Sequence, residues 1–411
     1  MEKKISFIHC ADLHLDSPFK GMTQVPAPLF KQIRDCTFQS LTALVETAID
    51  KKVDFILIAG DLFDDNKQSL KAHIRLKKAF TLLKKYGITV YLSFGNHDYA
   101  KAGKAAAEYP DNVIVFKDDK VSTATFTKSD RTLATIYGFS YGERAVKENK
   151  TVEYQRTDDK GYHIAMLHGS LSTNTEHDVY APFQLGDLIS KNFDYWALGH
   201  IHKRQILSED PPVVYPGNLQ GRSKKETGEK GCYYVELSEA GTHMEFFPLQ
   251  EIRFETVAVD ISSVHAPEEV EAMLEHMLSE KKKELGKCIL QIRFTSDQQH
   301  VEDWYQTGYF EEIIELLNDS IDSEDTWGYI QDYSFVRKQS LPGEWEKSHH
   351  FAGELKRRFT ETDRITPYLK PITHHKHARK YLEPFSPEEE EQIKLEAQNL
   401  LIHELTKEYE G

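Results

Sequence analysis

Cysteine is scarce and scattered in this chain. Cys10, Cys36, Cys232 and Cys288 form no CxxC pair, which excludes a clustered thiolate zinc site and a disulfide framework and points to free thiols. No apolar run approaches the roughly 20 residues that span a bilayer, so no membrane association is expected. Met1-Glu2-Lys3-Lys4 leads straight into the apolar run Ile5–His9 without a small-residue cleavage pattern. The expected location is the cytoplasm. There is no internal repeat and no low-complexity tract. Positive charge is not in excess either: 51 Lys and Arg stand against 66 Asp and Glu, a net charge of −15. Whole-chain acidity argues against a nucleic-acid partner. Its distribution weakens that objection. Residues 1–250 balance at 32 basic and 32 acidic, residues 251–330 hold 6 against 19, and residues 331–411 hold 13 against 15.

What is present is a repeated device. An apolar, β-branched run ends in residues that handle metals or protons. The fullest case is Ile88–Phe94 followed by Gly95-Asn96-His97-Asp98. Ligands bind at the carboxyl ends of strands in open α/β sheets. The same pattern recurs along the chain. Ile5–Cys10 ends in Asp12-Leu13-His14, whose polar side chains share one side of an extended segment. Val53–Ala59, apolar almost throughout as in a strand covered on both faces, ends in Gly60-Asp61-Leu62-Phe63-Asp64. Gly161–Leu167 ends in His168, and Phe193–Leu198 ends in Gly199-His200-Ile201-His202. Apolar periodicity over 29–51, with Ile33, Phe38, Leu41, Leu44, Val45 and Ala48 on one face, predicts a helix between the first two strands. A second helix is expected over 70–86. The order β-α-β-α-β makes the class α/β.

The middle segment changes character. Strands are expected at 254–261, 288–295 and 329–337, with helices over 268–285 and 301–319, and no Asp/His ligand pattern. Domains are accordingly expected over 1–250, 251–340 and 341–411. The tail holds a basic stretch, 356–380, with eight Lys or Arg against two acidic residues and with His374, His375 and His377. Ser386-Pro387-Glu388-Glu389 has the form of a helix start, a capping box with Pro at the first helical position.

Asp12-x-His14, Gly60-Asp61, Gly95-Asn96-His97-Asp98, His168 and Gly199-His200-x-His202 occur in order, and with them the chain resembles the calcineurin-like metallophosphoesterases. Within these it is similar to the SbcD-type nuclease subunits of DNA repair, most of all the YhaO branch. That likeness rests on Asp12–Phe19, Tyr215–Arg222 and Glu226–Gly231. The resemblance implies a two-sheet β-sandwich flanked by helices, then a small α+β capping domain and a helical C-terminal tail. It implies two divalent cations: Asp12, His14 and His202 on the first, Asn96, His168 and His200 on the second, with Asp61 bridging. Mixed carboxylate, amide and imidazole donors suit Mn²⁺ first, with Fe²⁺ or Zn²⁺ as alternatives. His97 lies outside that set, and its implied role is to protonate the leaving alkoxide or to stabilise phosphorane charge, with Asp98 orienting it. Arg222, Lys224 and Lys225 read either as a solvated turn or as contacts to substrate phosphate. Some relatives carry a histidine where this chain has Asp64, so that histidine's role does not transfer.

The expected activity is two-metal phosphodiester hydrolysis of DNA ends, in partnership with an SbcC-like ATPase and as a homodimer. The alternatives are a phosphomonoesterase or small-molecule phosphodiesterase, since substrate choice lies in the surrounding loops, and a non-catalytic scaffold.

Overall fold

The computed structural model describes residues 4–338, except 20, 23, 65–67, 100–108, 130, 158–159, 174–178 and 322–325, and scattered positions between 354 and 401. His374, His375, His377 and the helix start at Ser386 lie outside the described residues, as does most of the basic stretch. Among the described residues no helix is long and apolar enough to cross a membrane.

The chain opens with β1 (Ile5–Cys10), α1 (Ala27–Asp50), β2 (Phe55–Ala59), α2 (Leu70–Lys85), β3 (Thr89–Ser93) and β4 (Val113–Val115). A second run follows with β5 (Ser122–Lys128), β6 (Arg131–Gly138), β7 (Tyr162–His168), α3 (Leu185–Ile189), β8 (Tyr195–Gly199), β9 (Gln205–Glu209) and β10 (Pro212–Tyr215). The chain then returns with β11 (Gly231–Ser238) and β12 (Gly241–Pro248). Two six-stranded mixed sheets result, in the orders β12-β11-β1-β2-β3-β4 and β5-β6-β7-β8-β10-β9. They are the two-sheet architecture that the sequence implied.

β2 shows why the sandwich forms. All five of its residues are buried. Phe55, Leu57 and Ala59 face the core between the sheets, together with Phe7, Tyr91, Ile136, Ile164, Met166 and Ala197. Ile56 and Ile58 face the opposite way, against Phe38, Leu41, Leu44, Leu76 and Phe80 of α1 and α2. A strand covered on both sides has no place for a polar residue until it ends. β1, β2 and β3 pair in parallel, as do β7 and β8, so their carboxyl ends emerge along one edge.

A third, all-parallel sheet follows, of β13 (Arg253–Asp260), β14 (Cys288–Ser296) and β15 (Gly328–Arg337), with α4 (Pro267–Leu285), α5 (Gln299–Gln306) and α6 (Tyr309–Asp319) in its connections. The single helix expected over 301–319 is two, because Gly308 sits in the left-handed region at φ 83° and ends the first. The five short strands β5 and β9–β12 were not expected. Two of them, β5 and β9, are largely exposed and give no long apolar run to read.

The third sheet leans on the two-sheet half through a compact apolar contact. Phe254, Ile289, Trp327 and Tyr329 pack against Leu29, Ile33 and Cys36 of α1. The buried Trp327 indole also donates to Gln32 Oε1 at 3.0 Å. Trp327→Ala is expected to cost about 3–5 kcal/mol, read as a lowered urea midpoint. An unchanged midpoint would show that the third sheet does not depend on this contact.

Candidate metal centre

The carboxyl ends of β1, β2, β3, β7 and β8 bring Asp12, His14, Asp61, Asn96, His97, His168, His200 and His202 to one edge of the sandwich. Asp12, His14 and His202 offer ligand atoms within 4.8 Å of one another, and so do Asp12, Asp61 and His168. Asn96 Oδ1 lies 3.0 Å from His168 Nε2 and 3.2 Å from His200 Nδ1. Asp61 Oδ2 stands between the two groups, 3.8 Å from His14 Nε2 and 3.4 Å from His168 Nε2. All seven expected ligands are therefore in one place.

The packing there is close enough to explain the glycines of the motifs. A Cβ on Gly95 would meet Asp61 Oδ1 at 2.3 Å and His168 Nε2 at 2.7 Å. One on Gly199 would meet the Ala59 carbonyl at 1.9 Å. The backbone is strained as well. Asp12, His14, Asp61 and His200 all have positive φ, at 53°, 42°, 50° and 95°. Each such non-glycine residue costs on the order of 1–3 kcal/mol, and strain of this kind gathers at functional sites.

Hydrogen bonding tests whether a cation fits. His202 Nδ1 lies 2.7 Å from Glu226 Oε1, and a carboxylate can only accept, so His202 Nε2 is left as a lone pair. That lone pair faces His14 Nε2 at 3.1 Å. If His14 carries its proton on Nε2, its Nδ1 lone pair faces Asp64 Oδ1 at 3.4 Å. If the proton is on Nδ1, the two Nε2 lone pairs face each other. Carrying both protons is unfavourable, because burial, with Arg222 nearby, lowers His14 to about 3. With both rings neutral, one acceptor pair is left opposed whichever tautomer forms, so the pair calls for positive charge: a second proton on His202 or a cation between the rings.

The second group repeats the conflict around His168. Its Nδ1 donates to the Ala59 carbonyl at 2.9 Å, which aims Nε2 at Asn96 Oδ1 and Asp61 Oδ2. Three acceptors converge, and without a metal the cation available is a proton. Burial alone would lower His168, yet the Asp61 charge and hydrogen bond, with Asp12 behind, carry it up to about 9. Burial likewise works to raise Asp61, but His168, His14 and His97 hold its carboxyl well below the usual range. The donor set can hold two metal ions.

His14, Asp64 and His97 also come within ligand distance of one another. This set is the weaker metal candidate, because Asp64 is already ion-paired to the Arg222 guanidinium. His97 Nδ1 is spent as well, bonded to the Asp64 carbonyl oxygen at 2.6 Å.

Two expectations about the flanking residues need correction. Asp98 does not orient His97. Its carboxylate is buried and turned inward, accepting from Leu62 N at 2.7 Å and Gly95 N at 2.8 Å. It ties the loop after β2 to the loop after β3, and burial with the neighbouring Asp61 charge raises it to about 7. The partner of His97 is the Asp64 carbonyl. Arg222 is not held out towards solvent, since it is clamped between Asp64 and Glu226. Lys224 pairs with Asp332 of β15 at 2.6 Å, while Lys225 is exposed. Glu226 was missed as a member of the site. It lies 24 residues after His202 and on another loop, so no local spacing marks it.

A calcineurin-like phosphoesterase family profile matches residues 5–204. The uncharacterized metallophosphoesterase YhaO of Bacillus subtilis (strain 168) is 39% identical over 412 residues, 98% of each chain. The DNA double-strand break repair protein Mre11 of Sulfurisphaera tokodaii is 28% identical over 237 residues, 55% of this chain and 58% of that one. Mre11 of Aeropyrum pernix is 29% identical over 259 residues, 56% and 58% of the two chains.

The raised His168 value gives a pH dependence with a definite sign. Below about 9 the metal-free ring holds a proton that an entering cation must displace. Apparent affinity at the second group is therefore expected to rise about tenfold per pH unit between 7 and 8.5, with release of about one proton per ion. Titration calorimetry in buffers of different ionisation enthalpy measures both. Affinity that stays flat over this range would show His168 to be neutral before the metal arrives.

Proposed function

The chain belongs to the calcineurin-like metallophosphoesterases, and from that premise we propose that it is a two-metal phosphodiesterase that cuts DNA at its ends. The observation that carries the reaction class is the convergence of seven metal-ligand side chains from five parallel-edged strand ends on opposed acceptor pairs. We assign Asp12, His14 and His202 to the first cation and Asn96, His168 and His200 to the second. Asp61 is the bridge, which its position between His14 and His168 supports.

Bound cations at this centre supply Lewis acidity, lowering the pKa of a water and neutralising the phosphoryl oxygens. No Ser or Cys nucleophile is then required. The other work falls to the protein. His97 has its Nδ1 committed to the Asp64 carbonyl and its backbone N–H to Asp61 Oδ1 at 2.9 Å. Its ring stands perpendicular to that of His14, centroids 4.9 Å apart. Nε2 is the nitrogen left, and it can pass a proton to the leaving alkoxide only from the doubly protonated ring, because Nδ1 keeps its own proton for the Asp64 carbonyl. Asp98 holds the two loops together so that Asn96 and Asp61 stay in register.

DNA as substrate draws its support from two sources. The relatives named DNA double-strand break repair proteins match over about half of this chain. The basic stretch 356–380 offers local positive charge that the net −15 conceals. The 19 acidic residues of 251–330 make that segment a poor grip on phosphate, so DNA contact is assigned to the catalytic edge and the tail. An SbcC-like ATPase and a second copy of the chain are the partners that this reading carries with it, and Mn²⁺ is its metal.

The test is turnover of linear duplex DNA with Mn²⁺, run beside p-nitrophenyl mono- and diesters. Degradation of DNA is expected, and cleavage of the small esters alone would remove the DNA reading. His97→Ala is expected to lower kcat by about 10²–10⁴-fold while both cations stay bound. Loss of metal from that variant would show its role to be ligation. His202→Ala is expected to weaken the first cation and spare the second, as measured by bound-metal content.

A further inference from the structure

The loop between β10 and β11 carries Glu226, which is not among the metal ligands. Its side chain is only 14% exposed. Four donors immobilise the carboxylate: His202 Nδ1 at 2.7 Å, Asn218 Nδ2 at 2.8 Å, the Arg222 backbone N–H at 2.7 Å and, more distantly, the Arg222 guanidinium at 3.5 Å. The loop is itself pinned. Gln291 Nε2 of β14 donates to the Lys224 carbonyl at 2.7 Å, and Lys230 Nζ donates to the His202 carbonyl at 2.8 Å. The Gly228 backbone N–H donates to the Phe254 carbonyl at 3.0 Å.

His202 Nδ1 has a second neighbour of opposite character. The Arg222 guanidinium, a donor only, lies 3.3 Å away. The two neighbours demand different tautomers. Glu226 needs a proton on Nδ1, which leaves Nε2 as a lone pair. Arg222 favours a bare Nδ1, which puts the proton on Nε2 and points N–H at the metal position. The carboxylate prevails because it is nearer by 0.6 Å and held by its other donors, whereas Arg222 already has the Asp64 and Glu226 carboxylates to donate to.

We propose that Glu226 is the positioning residue of the first cation site, fixing His202 as the Nδ1–H tautomer against the pull of Arg222. This rests on the two-metal reading above but makes a claim of its own about the metal-free chain. Without Glu226 the remaining partner of His202 Nδ1 is a donor. The ring then turns its proton to Nε2, and the first site loses a ligand with no ligand residue altered. Arg222 acquires a defined part as well. It neutralises Asp64 and Glu226 while opposing the tautomer that the metal needs.

The experiment uses the full chain with ¹⁵N-labelled histidine, stripped of metal. Long-range ¹H–¹⁵N correlation reads the tautomer of His202, whose signals are assigned by their loss in His202→Asn. Measured at a pH where the His202 ring carries a single proton, wild type is expected to show a protonated Nδ1 and a bare Nε2. In Glu226→Ala the pattern is expected to reverse, and Mn²⁺ titration should retain one site while the other weakens about 10- to 100-fold. Adding Arg222→Ala to that variant removes the opposing donor and is expected to recover part of the lost affinity. Wild type with its proton on Nε2 overturns the proposal without any variant, which also covers the case in which Glu226→Ala does not fold. Glu226→Ala that keeps the Nδ1 proton and both affinities overturns it equally. A wild-type chain that binds two cations with the expected tautomer but leaves DNA intact removes the nuclease reading and leaves Glu226 in its role.

Discussion

Two imidazole nitrogens 3.1 Å apart in a buried pocket, one of them with no proton to share, form the constraint on which the rest of the site depends. While both rings are neutral, nothing within the side chains resolves it. Around His168 the same problem arises with different atoms, and the protein accommodates it by holding a proton where ordinary histidine would be losing one. Both conflicts follow from the fold. Parallel pairing of β1, β2 and β3 beside that of β7 and β8 brings strand ends to a single edge. Four of the seven candidate ligands at those ends, Asp12, His14, Asp61 and His200, adopt positive-φ backbone conformations. The strain and the opposed acceptors are therefore two views of one arrangement, a site shaped to be completed by positive charge.

Much of this was legible in the residues, and the reason is physical. A strand buried on both faces tolerates no polar group, so the first Asp, Asn or His after an apolar run marks both the strand's end and a candidate ligand. β2 followed by Gly60-Asp61 is the clearest instance. Gly95 and Gly199 were visible as punctuation, although what they make room for, Asp61 with His168 and the Ala59 carbonyl, required the fold. Relations across loops were not legible. Asp98 is adjacent to His97 in sequence, and adjacency suggested a pair, yet its carboxylate faces the opposite way to bond Leu62 and Gly95. Arg222 read as a solvated turn residue or a phosphate contact because its partners, Asp64 and Glu226, are not marked by local spacing. The antiparallel strands β9, β11 and β12 are half exposed or alternate in burial, so they carry a weaker apolar signal than β2.

Charge is managed by segregation. The catalytic half is balanced, and the acidic excess is confined to the segment that builds the third sheet and its helices. That sheet is nonetheless not a detached appendage. It meets α1 through an apolar contact around Trp327, and it meets the loop bearing Glu226 through Gln291, Asp332 and the Phe254 carbonyl. Its position and the orientation of His202 are connected by a short chain of hydrogen bonds rather than by any shared ligand.

The closure of the first sheet has a consequence for how the protein is made. β1 is flanked by β2 on one side and β11 on the other, with Ile5 opposite Leu237. The β2 flank can be covered early, but the β11 flank stays open until about 220 further residues have been synthesised. At roughly 5–20 residues per second that is on the order of 10–50 s. For that interval a nascent chain presents an unpaired apolar strand edge beside an incomplete metal pocket. The candidate metal pocket is thereby completed only late in synthesis of the two-sheet half, since His202 and Glu226 arrive just ahead of the strand that seals the sheet.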